Sequence, residues 1–166
     1  MDVFEAIEKR ASVRAYEPVE IPEADLMKIL DAGRRAPSGS NVQPLEYILI
    51  QDTQTLTSLG RVQSCFETAS AAIAIVADPS ASRWWLEDAA AATENILLAI
   101  EALGYASVWV EGMLLRHEAF ARELLSVPDQ RRLQILLPIG KAAKQTAQAA
   151  KKPLDELLWR ESYGQR

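Results

Sequence analysis

A chain of 166 residues, 49% hydrophobic and 25% charged, can bury one sizeable core and is too short for two independent ones, so a single domain over residues 1–166 is expected. The net charge of −5 argues against a general nucleic-acid role, and no apolar run approaches bilayer-spanning length, so neither a nucleic-acid nor a membrane partner is expected. The single cysteine, Cys65, excludes an internal disulfide or a thiolate metal cluster, and the charged start (Asp2, Glu5, Glu8, Lys9, Arg10) is unlike a secretory signal; a cytoplasmic, metal-free protein is expected.

Residues 2–10, DVFEAIEKR, set Val3, Phe4 and Ile7 on one face with charges opposite, predicting a short amphipathic helix that stops near Ser12. Residues 22–35 open with Pro22, carry acids in the first turn and Arg34 and Arg35 in the last, as a helix's dipole favours. APSGSNVQP at 36–44 is dense in turn formers and feeds LEYILIQ at 45–51, a first strand. Short helical turns are predicted over 52–61 and 64–70, and AAIAIVAD at 71–78 reads as a buried strand. After the long helical stretch 84–104, ASVWVEG at 106–112 is a third strand running into a turn. RHEAFARELLSV at 116–127 is amphipathic and helical, QILLPIG at 134–140 is a fourth strand, and a basic tail from Lys141 holds one more helical turn at PLDELLW.

Residues 84–104, WWLEDAAAATENILLAIEALG, dominate this pattern. Glu87, Glu94 and Glu101 repeat every seven residues beside Asp88 and Asn95, confining charge to one stripe of a helix otherwise apolar or small, which must therefore be buried. Together the elements predict an α+β fold of mixed layers: a mixed or antiparallel sheet of four strands, flanked by helices around a long buried central one. No GxGxxG follows a strand and no P-loop is present, so neither a Rossmann site nor a P-loop is supported.

Three stretches carry polar groups suited to ligand chemistry: RASVR at 10–14, PSGSNVQP at 37–44 and the basic tail. Two arginines four apart at a helix end are commonly a solvated terminus. Arg-x-Ser-x-Arg also supplies two guanidinium forks and a hydroxyl, donors that a phosphate monoester needs, and the Ser/Asn/Gln loop supplies neutral donors and acceptors. His117, the only histidine, reads as a surface residue, Cys65 as core, and the glutamate stripe as a solvated or interface face rather than a metal site.

KRASVRAY at 9–16 followed by APSGSNVQP resembles the two N-terminal motifs of the nitroreductase-like flavoproteins. LEDAAAATENILLAIEALGYASVWVEGM resembles their central helix, strand and flavin-facing turn, and LPIG with KKPLDELLW their C-terminal part. The resemblance implies non-covalently bound FMN, NADH or NADPH as co-substrate, and a homodimer with two FMN sites at the interface, a fifth strand of the sheet coming from the partner. It places Arg10, Ala11 and Ser12 at the phosphate and ribityl end of FMN and Arg14 at the pyrimidine edge, where it tunes the ring. Pro37, Ser38, Gly39, Asn41 and Gln43 would reach the flavin from the other subunit. Glu111 and Gly112 match the turn whose backbone amides face N5 and O4, and Lys151 and Lys152 match a basic pair near the phosphate. Arg61 and Gln63 are candidates for a polar pair at the pyrimidine ring. The implied activity is an FMN-dependent oxidoreductase that transfers hydride from NAD(P)H to a small-molecule acceptor, a nitroaromatic or quinone, by a ping-pong mechanism. The alternatives are a different flavin reaction on the same fold, such as flavin fragmentation or reductive dehalogenation, and FMN binding without catalysis.

Overall fold

The computed structural model describes residues 1–165. In chain order the elements are α1 (Val3–Lys9), β1 (Tyr16–Glu17), α2 (Glu23–Arg34), β2 (Leu45–Ile50), α3 (Thr53–Leu59), β3 (Ala71–Ala77), α4 (Trp85–Ala102), β4 (Ala106–Ser107), α5 (Gly112–Arg116), α6 (Glu118–Leu124), β5 (Arg132–Ala142) and α7 (Leu154–Leu157). Short 3₁₀ turns at Gly39–Asn41 and Ser64–Thr68 fill two of the connections.

The strands form one antiparallel sheet in the order β1-β5-β3-β2, with β4 paired to β5 as well. The four strands read from the sequence are all present, and the chain adds a two-residue strand that the sequence did not announce, β1. β3 is buried along its whole length, as its unbroken apolar run requires. Its alternate residues face opposite layers. Ile73 and Ile75, with Ile135, Leu137 and Ile139 of β5, pack on Leu26 and Ile29 of α2 and on Ala89, Ile96 and Ile100 of α4. Ala72, Ala74 and Val76 face a second core built from Leu56, Leu59, Phe66, Val110, Leu114 and Ala121. The result is a sheet sandwiched between two helical layers. Burial pushes the Cys65 thiol up to about 11, in keeping with a core residue.

Three expectations change. The strand over 106–112 is paired only at Ala106 and Ser107 and by a single bridge from Val110 to Leu136, because the chain turns into α5 at Gly112. The helix expected over 116–127 is confined to α6, Glu118–Leu124, which a break at the half-buried His117 separates from α5. And α1 faces the other way: it buries Ala6 and leaves Val3, Phe4 and Ile7 exposed, so its apolar stripe has no cover within the chain.

Contact between α2 and α4 depends on Gly33. A Cβ there would stand 2.7 Å from Ile96 Cδ1, so the fully buried Ile96 side chain would have to shift. Gly33→Ala gains about 1 kcal/mol of helix propensity against this overpacking, whereas Gly33→Val has little such offset. Gly33→Val should therefore lower stability by about 1–3 kcal/mol, read as a lower urea midpoint at unchanged slope.

Candidate functional site

The RASVR segment leaves α1 at its C-cap, Arg10, and runs extended rather than helical. Val13 N–H donates to Ser107 O at 2.9 Å and Ser12 bridges Ser107 in parallel, so the segment lies along β4. The Tyr16 hydroxyl donates to Val13 O at 2.6 Å, and burial pushes that phenol far above its usual range, keeping it a donor. Alternation follows from the extended backbone: Ala11 and Val13 are buried, while Ser12 and Arg14 are exposed and Arg10 is half-buried. Arg10, Ser12 and Arg14 thus form one outward row. Four extended residues separate the arginines by about 13 Å of backbone, so the row suits an elongated ligand and not a single phosphate.

Electrostatics ties this row to the second half of α4. Arg10 Nε stands 3.7 Å from Glu94 Oε1. Burial raises the Glu101 carboxyl while the positive charges of Lys9 and Arg10 pull it down. The tail returns to the same place: Gln148 Nε2 donates to Ile7 O at 2.9 Å and to Arg10 O at 3.0 Å. Lys151 follows within about 10 Å of chain, so Lys151 and Lys152, both exposed, are tethered near the Arg10 end of the row.

On the other side of β4, the turn at Glu111 and Gly112 opens α5, and a Cβ at Gly112 would meet nothing within 4 Å. Beneath this edge the Ser107 hydroxyl is buried with no hydrogen-bond partner among the described residues. Glu111 accepts from Trp109 Nε1 at 3.0 Å and from Gln134 Nε2.

The 37–44 loop is elsewhere. Gly39 N–H donates to Asp88 Oδ1 at 2.9 Å, and Asp88, only 4% exposed, is also reached by the Ser82 hydroxyl at 3.3 Å. The Trp84 ring lies on Gly39 so closely that a Cβ there would stand 2.6 Å from it. Ser38 Oγ accepts from Gln43 N–H at 3.1 Å, and Ser40, Asn41 and Gln43 all have positive φ (52°, 57° and 56°). Pro37, Ser38 and Gly39 border a groove of about 500 Å³ whose far wall is Trp84, Glu87 and Ala91. From Asp88, where the loop is tied, to Glu94 and Glu101, near the arginine row, is about 9 and 20 Å along the helix axis. Within one chain, then, Arg10, Ser12 and Arg14 come together with the 111–112 turn and the lysines, and the loop residues do not join them. Arg61 is engaged in another direction, its guanidinium 4.6 Å over the Phe120 ring.

Sequence reasoning missed Ser107, Gln134 and Asp88 as site-supporting groups. The available signal was a polar side chain inside an otherwise apolar strand or helix, which must have a partner or a purpose.

These features define a layered α+β protein whose polar motifs face outward and do not close one pocket within a chain. The nitroreductase family model matches residues 7–66 and 57–141, and the chain belongs to the nitroreductase family. It is similar, at 39% identity over 137 residues, to a protein of Archaeoglobus fulgidus described as a candidate NADH dehydrogenase/NAD(P)H nitroreductase, with 77% of this chain and 78% of the relative covered. An FMN-dependent nitroreductase of Clostridium difficile R20291 superposes with a TM-score of 0.86 at 26% identity, covering 96% of this chain and 99% of that one. A candidate nitroreductase of Desulfovibrio desulfuricans, solved in complex with FMN, superposes with a TM-score of 0.86 at 27% identity, covering 98% of each chain.

Asp88→Ala removes the acceptor that holds Gly39 N–H. A hydrogen bond to a charged group contributes about 1.5–3 kcal/mol, so amide exchange at Gly39 and its loop neighbours should speed up about tenfold or more, with protection in β3 and β5 preserved.

Proposed function

We propose that the protein is a cytoplasmic, homodimeric FMN-dependent oxidoreductase that takes hydride from NADH or NADPH and passes the reducing equivalents to a small-molecule acceptor, a nitroaromatic or quinone. The outward row Arg10, Ser12, Arg14, continued by the open turn at Gly112, is the observation that carries this reading. It rests also on membership of the family and on the FMN present in one similar structure and the FMN dependence named in another.

The residues present fit the cofactor. Arg10 and Ser12, with Lys151 and Lys152 tethered nearby through Gln148, are a donor set for a phosphate and a polyol chain. The unpartnered Ser107 hydroxyl lies under the same edge. Gly112 leaves space over the turn for a planar ring. The row's other basic residue, Arg14, is assigned to the ring end, which leaves the phosphate end with the donors for one phosphate among the described residues.

When bound, the flavin supplies the two-electron chemistry. The chain's own groups hold and orient it: Arg10 and Ser12 bind the phosphate end, and the Arg14 cation favours negative charge at the pyrimidine edge. The backbone amides of Glu111 and Gly112 donate at the opposite edge. With one open face serving both substrates in turn, the nicotinamide must leave before the acceptor enters, so the kinetics are ping-pong.

Two separate observations support homodimerisation. The loop from Pro37 to Gln43 sits too far along α4 to complete its own chain's row, and would complete the partner's. Val3, Phe4 and Ile7 of α1, and Leu154, Leu157 and Leu158 at the tail, are exposed apolar residues of a size that monomers rarely leave uncovered in groups.

Purified protein should be yellow, release FMN on denaturation, and bleach on anaerobic addition of NADH or NADPH. Initial rates with a quinone should then give parallel double-reciprocal lines. Released FAD, or no bleaching by either nicotinamide, would falsify the reading. Arg10→Ala should weaken FMN binding about 10- to 100-fold, the equivalent of a lost charge-assisted contact. Sedimentation should show a dimer, and Phe4→Asp should shift it toward monomer with loss of flavin; a flavin-loaded wild-type monomer would rule out the shared site.

A further inference from the structure

β5 carries one polar side chain inside its buried stretch, Gln134, at 7% exposure. Its position is set by a bulge. Ile75 pairs with Ile135, yet the next residue of β3, Val76, pairs with Leu133, so Gln134 is the extra residue opposite no partner. Bulges re-aim side chains, and the consequence is visible in the packing. Ile135, Leu137 and Ile139 face α2 and α4, whereas Leu133 joins Leu136 in the opposite core instead of continuing the Ile135 face. Gln134 is thereby turned toward the other flank of β5, where β4 and the following segment run.

On that flank the pairs Ala106 with Gly140, Ser107 with Ile139 and Val110 with Leu136 follow one antiparallel register. One more step brings Gln134 level with Gly112. There Gln134 Nε2 donates to Glu111 Oε1 while Trp109 Nε1 donates to Glu111 Oε2 at 3.0 Å. Each carboxylate oxygen has one neutral donor, and among the described residues no lysine or arginine forms an ion pair with it. An arginine in Gln134's place would neutralise the charge; a neutral amide and an indole hold the carboxylate while leaving its charge in place.

We propose that Trp109 and Gln134 are positioning residues which, by clamping the Glu111 carboxylate from two sides, fix the backbone of the Glu111–Gly112 turn and so set where its amides stand toward the flavin. This rests on the FMN reading above. The clamp gives the bulge a purpose: without the extra residue, Gln134 would follow strict alternation, and of the two donors to the carboxylate only Trp109 Nε1 would remain, beside the Val110–Leu136 bridge and the Leu115 N–H bond to Glu111 O.

The test uses FMN-loaded wild-type protein and the variants Gln134→Leu, Trp109→Phe, Glu111→Ala and Glu111→Ala/Gln134→Leu. Three quantities are read: FMN affinity by fluorescence titration, the flavin C4=O stretch by resonance Raman, and the rate of reduction by NADH or NADPH in stopped flow. Gln134→Leu and Trp109→Phe should leave FMN affinity within about threefold and slow reduction about 10- to 100-fold, as misplacing a supporting contact does. The C4=O band should rise in frequency as its backbone donors retreat. In the Glu111→Ala background, Gln134→Leu should add less than about twofold, because both act through one carboxylate.

A wild-type band and rate in both single variants would overturn the proposal, as would an equal loss from Gln134→Leu with and without Glu111. Should Gln134→Leu fail to fold, Trp109→Phe, which keeps an aromatic ring while removing the N–H and part of the indole's bulk, decides by the same readouts. Wild-type protein that takes up no FMN refutes the flavin reading itself, and this proposal with it; variants that bind FMN yet behave as wild type refute the clamp alone.

Discussion

β5 is the constraint on which the remaining structure depends. It is the longest strand, Arg132–Ala142, and it is hydrogen-bonded along both flanks: β3 on one side, β1, β4 and Val110 on the other. Backbone groups buried this deeply need partners, and a strand paired on both sides satisfies them without help from side chains. Three of the segments offered as ligand contacts are attached to that second flank, and the 37–44 loop is not. RASVR lies on β4, the 111–112 turn follows the Val110 bridge, and the tail leaves from the end of β5 itself. The sheet therefore fixes the relative positions of donors that lie about a hundred residues apart in sequence.

The pair Arg10 and Arg14 shows how much depends on secondary structure. On a helix, residues four apart stand about 6 Å from each other at Cβ and could grip one phosphate. In the extended segment observed they are about 13 Å apart along the backbone with Ser12 between them. The same five letters thus change from an anion clamp to a rail along an elongated ligand. Bonding to Ser107 and the buried side chains of Ala11 and Val13 hold the segment extended. Nothing in RASVR alone announces this, because its register is set by a strand almost a hundred residues away.

Local pattern carried most of the fold: the apolar run of β3, the acids and arginines at the ends of α2, and the charge stripe of α4 each dictate an element without long-range information. What the pattern did not carry depends on distant partners. β1 is two residues long and exists only because Ala142 and Lys141 are there to pair with it. The apolar face of α1 reads as core by periodicity, yet Ala6 does the burying, since α4 approaches from the small-residue side. Periodicity identifies a face that wants cover and does not say whether the cover lies within the same chain. Gln134 is the third case. A glutamine among ILLPI looks like an interruption, and only the register against β3 reveals the bulge that re-aims it.

The 37–44 loop supports the same view through its energetics. Three non-glycine residues with positive φ lie within four positions, each costing roughly 1 kcal/mol or more, somewhat less for the asparagine. Against this stand the Gly39 bond to Asp88, worth about 1.5–3 kcal/mol with its charged acceptor, and the neutral Gln43 bond to Ser38, worth about 1. These offset one another to within their spread, so the chain alone holds the loop in this geometry with little to spare. Among the hydrogen bonds of its exposed side chains, Ser40, Asn41, Val42 and Gln43, the chain supplies the Gln43 Nε2 donation to Asn41 O at 3.3 Å, a long and exposed one. In the proposed dimer they face the partner's flavin, and contacts made there would add stability to the loop only when the second subunit and the ligand are present. Binding and dimerisation would then reinforce each other, because each supplies what the loop lacks.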